Sequence, residues 1–167
     1  MMTLRAVKFA AAIVLALGAA ACSSNKDGLA DGAAGGFGAA GAATPGSAQD
    51  FVVNVGDRVF FETDQTDLNP TAVATLDKQA QWLARYPNYS VLVEGHADER
   101  GTREYNFSLS ARRAQNVRDY LVSRGVSSGN LRTVSYGKER PVAVCNDISC
   151  WSQNRRAVTV LGGGAGS

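Results

Sequence analysis

The sequence predicts an α+β fold, a two-layer βαβαββ domain whose mixed sheet carries helices on one face. Three observations predict it. Runs rich in β-branched and aromatic residues alternate with runs whose apolar residues recur at helical spacing. Two successive strand–helix–strand units favour parallel strands joined by right-handed crossovers, with the last strand expected to return antiparallel. The stretch that carries this pattern, residues 51–161, is long enough for one hydrophobic core and shows no internal repeat. Residues 52–61 read as the first strand. Asn69 and Pro70 mark a helix start, with Asn as N-cap and Pro at the first helical position. Val73, Leu76, Ala80 and Leu83 then recur at helical spacing until Pro87 stops the run. Residues 89–97, "YSVLVEGHA", form the second strand, and Thr102 can cap a second long helix ending near Gly125. Strands are expected at residues 131–136, "LRTVSY", and 155–161, "RRAVTVL".

The flanks have a different character. Residues 1–21 read as an export signal: Arg5 and Lys8 are its positive end, an apolar run follows, and Gly18 to Ala21 supply small residues for cleavage. The apolar run is too short to span a bilayer as a helix. "LGAAAC" resembles a bacterial lipobox, which implies that Cys22 becomes the lipidated N-terminus. Several acyl chains on one cysteine hold a protein firmly at a membrane, where a single chain does not. Ser23 after the cysteine implies the outer membrane by the sorting rule known for enteric lipoproteins. Residues 22–50 are nearly all Gly, Ala and Ser and read as a flexible tether, and residues 162–167 as a flexible tail. A coil of about 28 residues has a root-mean-square span of roughly 30 Å. Losing Arg5 and Lys8 with the signal takes the formal charge from +2 to zero, which leaves nucleic-acid binding without electrostatic support.

The second long helix contains an anomaly. At about 100° per residue, Phe107, Leu109, Ala114, Val117, Tyr120 and Leu121 share one arc, and Glu104, Arg112, Gln115, Arg118 and Asp119 lie opposite. Asn106, Ser110 and Arg113 project into the middle of the apolar arc. A guanidinium facing a sheet needs a partner, because desolvating an unpaired charge costs several kcal/mol. Asp98 stands at the end of the preceding strand, and Glu62, Asp64 and Asp67 follow the first strand at the same edge, beyond which open sheets bind ligands. Two readings remain open. Either Arg113 and Asp98 form a buried ion pair, or they divide a zwitterionic ligand, with Arg113 holding a carboxylate and Asp98 an ammonium.

The segments "VFFETDQTDL", "VEGHADERGTREYNFSLSARRAQNVRDYL", "SYGKERP" and "NRRA" together resemble the OmpA C-terminal-like family over nearly the whole domain. The lipobox and tether place the resemblance with its lipid-anchored, wall-binding members. It implies noncovalent binding of the peptide stem of peptidoglycan at the far end of meso-diaminopimelate. Asp98 then corresponds to the aspartate of the family's "GH-[TA]-D" motif and Arg113 to the arginine of "L-S-x-x-R-A". Asp64 and Leu109 are implied as further ligand-binding residues, with Asn106 and Glu62 supporting the loop. The resemblance also implies docking to TolB, with TolA as a second partner, in an outer-membrane protein whose domain faces the periplasm. No cofactor, metal or catalytic residue is expected.

The chain departs from the pattern in two places. Glu62 and Thr63 stand where relatives often have Asp followed by Phe or Leu, and Cys145 and Cys150 are a pair that enteric relatives lack. With Cys22 acylated in an oxidising compartment, Cys145 and Cys150 are expected to form a disulfide. A zinc site would need more ligands than the single histidine supplies. His96 is expected to be bonded within the fold, Trp82 and Trp151 to pack, and Arg155 to be solvated or to meet the acidic loop. A wall hydrolase or amidase would need an activated nucleophile and a base. A wall-anchoring domain of another envelope machine would usually carry a transmembrane helix where this chain has a lipobox.

Overall fold

The computed structural model describes residues 43–163. The signal segment, Cys22, most of the tether and residues 164–167 lie outside the described residues. Ser47 caps a short helix, α1 (Ala48–Asp50), by accepting from the Asp50 amide at 3.1 Å, and a π-helical turn, Phe51–Val55, continues it. Strand β1 (Arg58–Phe60) comes only after that turn. The first strand is therefore much shorter than expected, and packed structure begins before residue 50. Asp50 is the reason, since its carboxylate accepts from Gly46 N at 2.9 Å, Asn54 Nδ2 at 2.8 Å and Trp82 Nε1 at 2.8 Å. Tyr89 donates to the Gly46 carbonyl at 2.8 Å, and Phe51 is fully buried with its ring 5.0 Å from that of Trp82. These contacts outweigh the β propensity of Val52, Val53 and Val55. Gly56, at φ 93°, ends the turn.

Helix α2 (Pro70–Arg85) starts where Asn69 Oδ1 accepts from Ala72 N at 2.8 Å, and it buries Ala72, Leu76, Ala80 and Leu83. Strand β2 (Ser90–Gly95) follows, then α3 (Arg103–Ser123), capped by Thr102 Oγ1 on the Tyr105 amide at 3.2 Å. Strand β3 (Leu131–Ser135), helix α4 (Ile148–Asn154) and strand β4 (Arg156–Gly162) complete the domain. The strand order is β1-β4-β2-β3, with β2 and β3 parallel and β4 antiparallel to both β1 and β2. The final strand returns antiparallel as expected, but it inserts between β1 and β2, so those two do not pair. Val91 and Val93 on β2, Ala157 on β4 and Val59 on β1 pack with α2 and α3 in one core. The mixed sheet thus carries its two long helices on one face.

Gly95 sets how closely α3 lies on β2. A Cβ at this position would land on the Ser110 carbonyl and lie 3.2 Å from the Ala114 Cβ. Helix α4 was not expected. Asp147 caps it on the Ser149 amide at 2.7 Å, and the Cys145–Cys150 disulfide, with 5.7 Å between Cα atoms, brackets its first turn. Fully buried Asn154 at its end accepts from Val142 N at 2.8 Å and donates to Ala143 O at 2.7 Å, closing the loop onto the helix. Gly162 lies in β4 rather than in the tail, with Ser90 Oγ donating to its carbonyl at 2.7 Å.

Candidate functional site

The C-terminal ends of β1 and β2 point the same way, because each runs antiparallel to the β4 strand between them. The loops leaving them, residues 61–68 and 96–102, therefore meet at one edge. The first turns of α3 cover that edge. Arg113, fully buried, reaches across it: Nε donates to Gln65 O at 2.9 Å, Nη1 to His96 O at 3.0 Å and Nη2 to Glu62 O at 3.2 Å. The guanidinium also lies 5.0 Å from the Phe61 ring centroid. One side chain thus ties both loops to α3.

The direct Arg113–Asp98 ion pair does not form. Asp98 is held by Arg100, through Nε on Oδ1 at 3.2 Å, Nη2 on Oδ2 at 2.6 Å and the backbone amide on Oδ1 at 3.1 Å. It is held also by Arg155, whose Nη1 donates to Oδ2 at 3.3 Å and whose Nε donates to Phe61 O at 3.0 Å. Arg155 is buried, so it belongs to the site and not to a solvated face. Arg113 and Asp98 nevertheless share one corner, since the carbonyl that receives Arg113 Nη1 belongs to His96, two residues before Asp98.

The other two polar residues on the apolar arc also serve this edge. Asn106 Nδ2 donates to Arg100 O at 2.6 Å, and Ser110 Oγ donates to Asn106 O at 2.7 Å while accepting from Gly137 N at 3.0 Å. Lys138 Nζ donates to Glu99 O at 3.1 Å and Gly101 O at 2.7 Å, so the turn after β2 is held from both sides. Glu62 contributes its carbonyl, and its side chain is exposed. Asp64 is exposed in a left-handed conformation, φ 55°, and Leu109 is buried on α3. Asp67 is exposed.

The electrostatics follow from this packing. The Arg113 pKa is lowered to about 10, by burial first and then by Arg155, with Asp98 and Asp64 opposing both. It stays charged at neutral pH. Burial alone would raise the Asp98 pKa, but hydrogen bonds from Arg100 and then Arg155 outweigh it and hold the carboxyl below its ordinary value. His96 is lowered to about 4 by burial and then by Arg156 and Arg140. Its main chain is bonded, but both ring nitrogens lack a hydrogen-bond partner, with Glu94 Oε2 at 3.5 Å from Nε2. The expectation that His96 is bonded within the fold thus holds for its main chain and, among the described residues, not for its ring. A corner that sets buried guanidinia beside an acceptor-only carboxylate is suited to a ligand bearing both charges.

Two residues of this site escaped the sequence reading. Arg100 is the principal partner of Asp98. Trp151 does more than pack: its Nε1 donates to the Glu99 carboxylate, and the Arg100 guanidinium lies 4.3 Å from the ring centroid. The position of Arg100 two residues after Asp98, in a turn closed by Gly101 at φ 84°, was the available signal.

The OmpA family model matches residues 60–155. The peptidoglycan-associated lipoprotein of Rhizobium meliloti (strain 1021) is 69% identical over 156 residues, covering 93% of this chain and 88% of that protein. The protein of that name from Pseudomonas aeruginosa is 45% identical, over 89% of this chain and 93% of its own length. Among solved structures, the peptidoglycan-associated lipoprotein from Burkholderia pseudomallei superposes with a TM-score of 0.62 at 40% identity, covering 64% of this chain and 90% of that one. The C-terminal domain of Helicobacter pylori MotB reaches a TM-score of 0.61 at 23% identity, over 65% of this chain and 86% of that one, a likeness of fold alone.

Proposed function

The chain belongs to the OmpA family, among its peptidoglycan-associated lipoproteins, and from this premise we propose that it anchors the outer membrane to the cell wall by gripping a peptide stem. Cys22 carries the lipid, the Gly/Ala-rich segment after it is the tether, and the domain from about residue 44 binds the wall from the periplasmic side. The ligand is the far end of meso-diaminopimelate. Asp98 receives its ammonium and Arg113 its carboxylate, while Asp64 and Leu109 complete the wall of the site and Asn106 and Glu62 shape the loops.

The observation that carries this reading is the convergence of Arg113 and Asp98 on one corner. Of the five N–H groups of a guanidinium, Arg113 commits three to backbone carbonyls. Two N–H groups remain, as many as a carboxylate's two oxygens take from a guanidinium. Such a grip makes and breaks without chemistry, which suits an envelope that grows and divides. TolB and TolA are its proposed protein partners, with TolB competing for the same edge. A hydrolase would instead need an activated nucleophile with a base to serve it, and would release soluble fragments from the wall.

Co-sedimentation with purified sacculi tests the proposal. The wild-type protein is expected to pellet and to release no soluble wall fragments. Asp98→Asn, which keeps the shape but removes the charge, is expected to stay in the supernatant and to melt at a lower temperature, since it leaves buried Arg155 without its counter-charge. Circular dichroism at the assay temperature checks that it is still folded. Pelleting of Asp98→Asn at the wild-type level would remove Asp98 from the site.

A further inference from the structure

We propose that Arg100 is an affinity-setting latch: it occupies the seat on Asp98 that a ligand ammonium takes, and the ligand binds by displacing it. The inference rests on Asp98 being the ammonium's partner. A carboxylate offers about four lone-pair positions on its two oxygens. On Asp98 these are filled by the Arg100 amide, Arg100 Nε, Arg100 Nη2 and Arg155 Nη1. An incoming ammonium therefore has to remove a donor.

Exposure decides which donor leaves. The Arg155 side chain is 6% exposed and anchored by Nε to the Phe61 carbonyl, whereas the Arg100 side chain is 40% exposed. Its outer contacts are weak, a 3.4 Å approach of Nη2 to Thr63 Oγ1 and the stack on Trp151. The Arg100 backbone stays in place when the side chain swings, because its amide donates to Asp98 and its carbonyl accepts from Asn106.

Trp151 is the shelf that keeps the latch near its seat. Its indole is fixed by Glu99, and it follows directly on Cys150, which the disulfide ties to Cys145. The stack on an aromatic face is a favourable resting place for a guanidinium. The same arrangement screens Asp98 from other cations. An amine without further contacts to the site cannot displace a bidentate guanidinium, whereas one delivered with a carboxylate for Arg113 can. Arg100 thus makes the site selective for a ligand bearing both charges.

The test is calorimetric titration of the full mature domain with a purified muropeptide ending in meso-diaminopimelate. The variants are wild type, Arg100→Ala, Arg100→Lys and Asp98→Asn. Arg100→Ala removes the competitor but keeps both backbone bonds, and it is expected to tighten binding by about twofold to fivefold, given what a part-exposed ion pair is worth. Arg100→Lys, which restores a competing cation, is expected to bring the affinity back toward wild type. Unchanged or weaker binding by Arg100→Ala, with wild type binding and Asp98→Asn not, would overturn the latch and leave the site standing. Equal binding by wild type and Asp98→Asn would overturn the reading of Asp98 itself.

Discussion

Arg113→Ala is expected to lose sacculus binding and to cost roughly 3–5 kcal/mol of stability, read as a lower urea midpoint at unchanged slope. The stability term arises because the guanidinium serves three carbonyls, of Gln65, His96 and Glu62, from a fully buried position. Leaving buried acceptors unpaired costs about 1–3 kcal/mol each, less where water can enter. Set against a typical total of about 5–15 kcal/mol, the variant stays largely folded only where the wild type stands well above about 5 kcal/mol. It nevertheless loses the tie between the loops after β1 and β2. An alanine variant that melts like wild type would mean that the carbonyls are satisfied without Arg113.

Gly95→Ala is expected to be as damaging although it adds one methyl group. Its Cβ would meet the backbone carbonyl of Ser110, an atom no rotamer change can move aside. Strand β2 cannot retreat, since Gly95 is paired on both sides, with Ser135 of β3 and Ala157 of β4. Helix α3 must therefore lift, and a strain of about 3 kcal/mol or more follows. The shift carries Ser110 and Arg113 away from the loops they hold, so sacculus binding falls with stability. Thermal melting of the variant checks this, and a melting temperature within a degree of wild type would contradict it.

The parts of the fold written in local chemistry were legible before the structure. Asn69 and Thr102 each cap the helix expected of them, and apolar periodicity located α2 and α3. Arg113 stood out because it broke that periodicity, and its burial has the physical cause that the anomaly required, namely polar partners under the helix. Its partners within the protein are backbone carbonyls and not the Asp98 carboxylate of the ion-pair reading. Backbone carbonyls leave no signature in side-chain identity, so no reading of residue types could have selected them.

Features set by distant contacts were not legible. Residues 51–55 carry β-forming valines, yet Asp50 meets Trp82 and Phe51 packs on the same ring, and these contacts lie outside any local window. The insertion of β4 between β1 and β2 is a pairing over some hundred residues. Helix α4 depends on the Cys145–Cys150 bridge and on Asn154, whose amide group folds the preceding loop back. Arg100 belongs to the same class, because its hold on Asp98 is a matter of turn geometry and of a tryptophan 51 residues further on.

The most direct test of the site is a paired calorimetric titration of the wild-type domain with two muropeptides that differ only at the third stem residue. One ends in meso-diaminopimelate and the other in lysine, which keeps the ammonium but lacks the second carboxylate. If Arg113 and Asp98 divide the two charges, the lysine form binds at least about tenfold more weakly, the worth of a charge-assisted bidentate contact. Equal affinity for the two would show that Arg113 receives no carboxylate.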